Sequence, residues 1–126
     1  MNKVYSYQYN QAYIPAMPVV EVTVKATKGQ VTLVALVDSG ADATMIPLPI
    51  LKQVGGRYVS QARLRGITGD SQFIELYLVN LELGAGAIYA IEAIATIDDE
   101  MILGRDVLNQ LVVTLRGTAE VVEILA

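Results

Sequence analysis

A chain of 126 residues with 53% hydrophobic and 17% charged side chains, and a mean hydropathy of +0.44, can fill one core and still hold apolar surface for burial against another chain. It contains no Cys and no His, which excludes disulfides, thiol chemistry and Ser-His or Cys-His triads within the chain, and leaves any zinc site to carboxylates alone. The net charge of -4, with the nine Lys and Arg scattered, argues against nucleic acid as a partner, and no apolar stretch approaches the roughly 20 residues a membrane helix needs. Carboxylates remain as the candidates for acid-base chemistry.

Residues 1–18 read as an N-terminal arm. Met1-Asn2-Lys3-Val4-Tyr5 lacks the apolar core of a secretory signal, so the expectation is a cytoplasmic protein, provided the chain is not cut from a longer precursor. Tyr5, Tyr7 and Tyr9 alternate and Tyr13 follows, a period suited to an edge strand or to an arm laid across a partner; a frayed terminus with surface tyrosines is the alternative. Pro15 and Pro18 separate the arm from a single domain at 19–126.

In that domain Val20, Val22 and Val24 alternate with Glu21, Thr23 and Lys25, as in a strand with one wet face. Thr27-Lys28-Gly29 turns into 31–37, a run of Val and Leu that reads as a buried strand delivering Asp38 into a poorly solvated place. A loop at 38–42 precedes a short strand at 44–46, closed by Pro47 and Pro49, and one helical turn at 50–54 that Gly55-Gly56 ends. Segments 58–65 and 72–83 flank the glycine turn Arg65-Gly66-Ile67-Thr68-Gly69-Asp70 as the two long strands of a hairpin.

Gly84-Ala85-Gly86 leads into a strand at 87–97, which Asp98-Asp99-Glu100 breaks. The apolar run Met101-Ile102-Leu103 ends at Gly104, and 105–110 is the predicted helix, with Asp106 in its first turn where a negative charge suits the dipole. Arg116-Gly117 joins two last strands, 111–116 and 119–125. With no internal repeat, the expected fold is all-β: a small, mostly antiparallel barrel or sandwich with one short C-terminal helix.

An aspartate followed by a hydroxyl residue and a glycine, emerging from an apolar run, must be paired or do chemistry. The plainer reading of Asp38 is a turn residue that caps a local bend. Taken together, Leu36-Val37-Asp38-Ser39-Gly40-Ala41-Asp42-Ala43-Thr44, the mid-chain glycine turn and Ile102-Leu103-Gly104-Arg105-Asp106-Val107-Leu108 resemble the retropepsin-like aspartic proteases in content, order and spacing, over about residues 19–111.

The resemblance implies a closed barrel and an aspartic endopeptidase that uses no cofactor and no metal. Two carboxylates must share one proton in such enzymes, and this chain carries a single triplet, so the second Asp38 would come from the other subunit of a homodimer. Asp38, Ser39 and Gly40 would form the catalytic loop, with the Ser39 hydroxyl, where retroviral members usually have Thr, bonding across the dimer and Gly40 letting the backbone approach substrate. Ala41 and Asp42 would lie on the substrate side, and Gly66, Ile67, Thr68 and Gly69 would form a flap over bound peptide; a plain exposed hairpin is the alternative. Thr44, Gly104, Arg105 and Asp106 would support the loop, with Asp42 and Arg105 pairing, either as a brace or as a surface ion pair of small value.

Two features depart from the retroviral pattern. Asp106 stands where those enzymes usually have Asn, and the chain continues past the helix through a whole hairpin, so their mode of dimerisation does not carry over. Gly66-Ile67-Thr68-Gly69 and Gly84-Ala85-Gly86 lack the strand-to-helix setting of a nucleic-acid or nucleotide loop. Asp98-Asp99-Glu100 reads as a solvated loop and not a cation site. Ile46, Leu48 and Ile67 suggest an apolar preference in a peptide substrate. The competing reading of the whole chain is a non-catalytic dimeric module that keeps the fold and binds peptide without turnover.

Overall fold

The computed structural model describes residues 3–65, 69, 71–84 and 86–125, and only the backbone of 64 and 65. Among the described residues ten strands and two short helices are formed: β1 (Val4–Gln8), β2 (Val19–Ala26), β3 (Gly29–Val37), β4 (Met45–Pro47), α1 (Leu48–Val54), β5 (Arg57–Arg65), β6 (Ser71–Leu83), β7 (Gly86–Thr96), β8 (Met101–Leu103), α2 (Arg105–Leu108), β9 (Val112–Arg116) and β10 (Val121–Leu125). Seven strands pair in the order β2-β3-β8-β4-β7-β6-β5, and a further β2–β6 pairing closes six of them into a barrel. The fold is the all-β barrel with a short helix that the sequence predicts. Among the described residues no helix is long and apolar enough to cross a membrane.

Alternation builds the barrel core. Val20, Val22 and Val24 of β2 are buried and stand opposite Ala35, Leu33 and Val31 of β3, while Glu21 faces out. Val79, Leu81 and Leu83 of β6, Ile88, Ile91 and Ala93 of β7, and Met101 and Leu103 of β8 complete the same cluster. The expectation of a fully buried β3 does not hold. Its buried and exposed positions alternate, and Val34 is 51% exposed, because only one face of the strand meets the barrel interior within this chain.

The helices also shift. α1 starts at Leu48, two residues ahead of the expected turn, because a proline in the first turn costs no hydrogen bond. It ends as foreseen at Gly55, whose φ of 77° is the left-handed cap that glycine adopts without strain. α2 stops at Leu108, and Asn109 and Gln110 continue only as a turn. The apolar run 101–103 is itself a strand, too short for periodicity to reveal: β8 sits parallel to β3 in the middle of the sheet.

From Val4 to Gln8 the arm is a strand paired within its own chain. β1 pairs antiparallel with β10, and β10 with β9, in a three-stranded sheet of order β1-β10-β9. Val122 and Ile124 of β10 point into the core, with Tyr5 and Tyr7 opposite them half-buried on the same face. The Tyr5 ring lies so close to Gly84 that a Cβ there would stand 2.7 Å from it. That contact seats the small sheet on the barrel.

Candidate active site

Asp38 leaves the end of β3 beside β8. Its N–H donates to the Leu103 carbonyl (3.1 Å), extending the β3–β8 ladder by one residue, and its own Oδ1 accepts the Gly40 N–H (2.9 Å). The Ala41 N–H closes the turn on the Asp38 carbonyl (3.2 Å). A Cβ on Gly40 would stand 3.2 Å from Asp38 Oδ1, so glycine leaves the carboxylate its place. The carboxylate is therefore fixed by its own loop and is half-buried in the single chain.

Beneath this loop lies a buried polar network. Thr44 is fully buried; its N–H donates to Asp106 Oδ2 (3.0 Å) and its hydroxyl to Asp106 Oδ1 (2.8 Å), while Oγ1 accepts the Gly104 N–H (3.2 Å). The Val107 N–H adds a third donor to the same carboxylate (2.9 Å). All three groups facing the Asp106 side chain donate to it, two to Oδ1 and one to Oδ2. A Cβ on Gly104 would fall 2.6 Å from the Ala43 carbonyl carbon and 3.0 Å from the Ala41 oxygen. The two glycine-containing segments press backbone against backbone there, and only glycine fits.

Arg105 reaches across the top. Its backbone N–H donates to the Ala41 carbonyl (2.8 Å), Nη1 to the Ser39 carbonyl (2.7 Å), and Nη2 pairs with Asp42 Oδ1. The expected Asp42–Arg105 contact is thus present, with side chains 83% and 43% exposed. It is a surface pair. Ser39 and Gly40 are exposed.

Strand register shows which side chains share the face of Asp38. Leu36 stands opposite Ile102, and Ile102 opposite Met45, so these three lie on one face, and alternation carries that face on from Leu36 to Asp38. All three are half-buried, whereas Ile46 and Leu103, on the other face, are fully buried. Ile46 is therefore core and not a cleft residue: a one-residue step along a strand reverses the face, and Met45 takes the role the sequence assigned to its neighbour.

Met45 and Ile102 line a cavity of about 320 Å³ with Thr96, Asp98, Asp99 and Glu100, and Met45, Leu48, Phe73, Ile74 and Ile94 line an adjoining one of about 460 Å³. Leu48 lines the second of these cavities. The acidic loop is exposed, and no group of carboxylates able to hold a metal occurs among the described residues.

One contact at this loop escaped the sequence. The Tyr13 hydroxyl donates to Glu100 and pins the segment after β1 beside the cavity. That hydrogen bond raises the Tyr13 phenol above its ordinary value. No periodicity connects residues so far apart in the chain.

Of the residues expected to form a flap, Gly66, Ile67 and Thr68 lie outside the described residues. Gly69 is exposed between β5 and β6 with φ of 86°, a conformation that disfavours a side chain.

The model of the family described as "gag-polyprotein putative aspartyl protease" matches residues 21–110. Among solved structures, a retropepsin-like aspartic protease from Rickettsia conorii is similar over 99% of this chain and 94% of its own, with a TM-score of 0.67 at 12% identity. The EIAV protease complexed with the inhibitor HBY-793 is similar over 82% of this chain and 93% of its own, with a TM-score of 0.59 at 22% identity. None of the curated proteins compared with the chain matches it. At these identities the two structures speak for the fold, while the family match spans the Asp38 loop, the hairpin and α2 together. The chain belongs to the gag-polyprotein aspartyl protease family.

Proposed function

We propose that the protein is an aspartic endopeptidase that works as a homodimer, with the two Asp38 carboxylates meeting on the two-fold axis. The observation that carries this reading is a single Asp38-Ser39-Gly40 loop whose carboxylate is set by the Gly40 N–H and whose backbone is tied to β8 and α2. One chain supplies one such carboxylate, and the chemistry needs two.

In this reading one Asp38, ionised, takes a proton from water as its oxygen bonds to the scissile carbonyl carbon. The other Asp38, protonated, donates to the carbonyl oxygen. The tetrahedral diol then collapses: one diol hydroxyl returns its proton to the dyad as the C–N bond breaks, and the departing nitrogen takes up the proton drawn from water, which leaves an acid, an amine and the singly protonated dyad. Ser39 bonds across the dimer under the dyad, Gly40 and Ala41 lie along the peptide with Asp42, and the turn carrying Gly66, Ile67, Thr68 and Gly69 covers it. Half-buried Leu36, Met45 and Ile102 supply an apolar wall next to Asp38.

Cleavage of a peptide library, sensitive to pepstatin and abolished by Asp38→Ala, is the expected result. Binding of peptides without cleavage would point instead to the non-catalytic module. Sharing of the site is tested by mixing equal amounts of parent and Asp38→Asn under full subunit exchange. About a quarter of the dimers should be purely parental, and activity should fall to about a quarter of the all-parent value. Activity near one half would mean that each subunit works alone.

A further inference from the structure

Three strand edges are open among the described residues: the outer sides of β5, β1 and β9. An open edge offers unpaired N–H and C=O groups to another chain unless something blunts it. β5 is blunted by Arg57 and Arg63 and by a register shift between Tyr58 and Ser60. β1 carries Ser6 and Gln8 on its outer face, and the tyrosines of its inner face are already half-covered. β9 reads Val-Val-Thr-Leu-Arg, with its one charge, Arg116, at its very end and no register shift against β10. Leu115 stands opposite fully buried Val122, on the core-facing side of the sheet, yet it is 53% exposed, and Val112 on the other side is 59% exposed. The core face of the small sheet runs out past β9 uncovered.

We infer that β9 is the subunit interface, paired antiparallel with β9 of a second copy through a two-fold axis at Thr114. The inference rests on the two-subunit reading above and gives that dimer its contact. A strand of the second copy can join only at an edge, and β10 already has both sides occupied by β1 and β9 of its own chain.

The register follows from parity. Directly opposed residues in a sheet point to the same face, so a two-fold perpendicular to the sheet must pass through a residue and its own copy, never between two residues. The five-residue β9 overlaps fully only when that residue is Thr114. Val113 then faces Leu115 of the second copy on the core side, and each covers the other's exposed apolar surface. On the outer side Thr114 meets its own copy, and the stem of Arg116, whose charge pairs with Glu123, lies over Val112. The result is a continuous six-stranded sheet, β1-β10-β9 followed by the same three strands in reverse. The axis is tied to the catalytic loop through α2, which leads into β9 and whose Arg105 holds the Ser39 carbonyl.

Cysteine cross-linking of the full chain tests this cleanly, since the protein has no cysteine of its own. Opposed residues in an antiparallel pair have Cα atoms about 4.5 or 5.5 Å apart, within the range of about 4.4–6.8 Å that a disulfide spans. Thr114→Cys should oxidise to a covalent dimer. Val112→Cys and Arg116→Cys should each stay uncross-linked alone and link when mixed. Leu115→Lys should sediment as a monomer at concentrations where the parent is dimeric.

A dimeric Thr114→Cys protein that forms no disulfide, or cross-linking by Val112→Cys alone, would overturn the register, and a dimeric Leu115→Lys would overturn the interface. Failures of the two readings stay separate. A cross-linked Thr114→Cys dimer whose parent cleaves no peptide upholds the interface against the protease reading; an active parent with no Thr114→Cys link does the opposite.

Discussion

Two carboxylates flank the same loop and are held in opposite ways. Asp106 lies under it, accepting from the buried Thr44 hydroxyl, the Thr44 N–H and the Val107 N–H. Asp42 lies above it, 83% exposed, with one partner in Arg105. The exposed pair is the one that a reading of charges picks out, because it joins opposite signs. The lower site, half-buried at Asp106, joins a carboxyl group to donors of the fully buried Thr44. An unmade hydrogen bond there costs more than at the surface, at which water can replace a lost partner.

Breaking the lower site should give the largest effect. Asp106→Ala leaves the Thr44 hydroxyl and the Thr44 N–H without their acceptor, while the Val107 N–H keeps the Gly104 carbonyl, at a cost of about 2–3 kcal/mol. For a domain of this size that is a fall in melting temperature of roughly 10 °C, readable by calorimetry. A variant that melts within a degree or two of the parent would mean that water has taken over the site. Gly104→Ala comes next, since its Cβ would overlap the Ala43 carbonyl. Overpacking of this kind costs about 1–3 kcal/mol, and the displaced Ala41–Ala43 backbone should lower peptide turnover more than stability.

The upper site should give much less. Arg105→Ala removes an exposed ion pair, worth about 0.2–1 kcal/mol, together with one hydrogen bond to the Ser39 carbonyl, and the ionic part of the loss should shrink in high salt. A loss as large as that of Asp106→Ala would erase the distinction drawn between the two carboxylates.

The smallest effect belongs to another exposed contact, Tyr13 with Glu100. The phenol is raised above 10.0 chiefly by this hydrogen bond, so its contribution to stability is present below pH 10 and fades as pH rises through the folded value. Melting temperatures of Tyr13→Phe and the parent should differ by a small constant amount from pH 7 to about 9 and converge above about pH 10. Divergence at high pH would mean that the bond does not hold the proton.

Much of the loop could be read from the sequence. Asp38 could be read from local chemistry, as a carboxylate after an apolar run, whereas Gly40, Thr44, Gly104 and Arg105 were picked out by the resemblance that two short motifs carry. The role of Asp106 was only half legible. Its place in a first turn could be seen, but the donors that surround it come from the far side of the loop, 62 residues earlier in the chain for Thr44.

Strand alternation, the hairpin, the glycine caps and the absence of histidine and cysteine chemistry were settled by the sequence alone, because each depends on neighbours a few residues away. Which face of β4 lines the cleft, the placement of Met101–Leu103 as a central strand, the half-exposed face of β3 and the pairing of β1 with β10 were decided only by tertiary structure. Each of these requires two segments distant in the chain to meet in one register. A shift of one residue in that register exchanges Met45 for Ile46 and turns a cleft into a core, and nothing local to either strand records which of the two it will be.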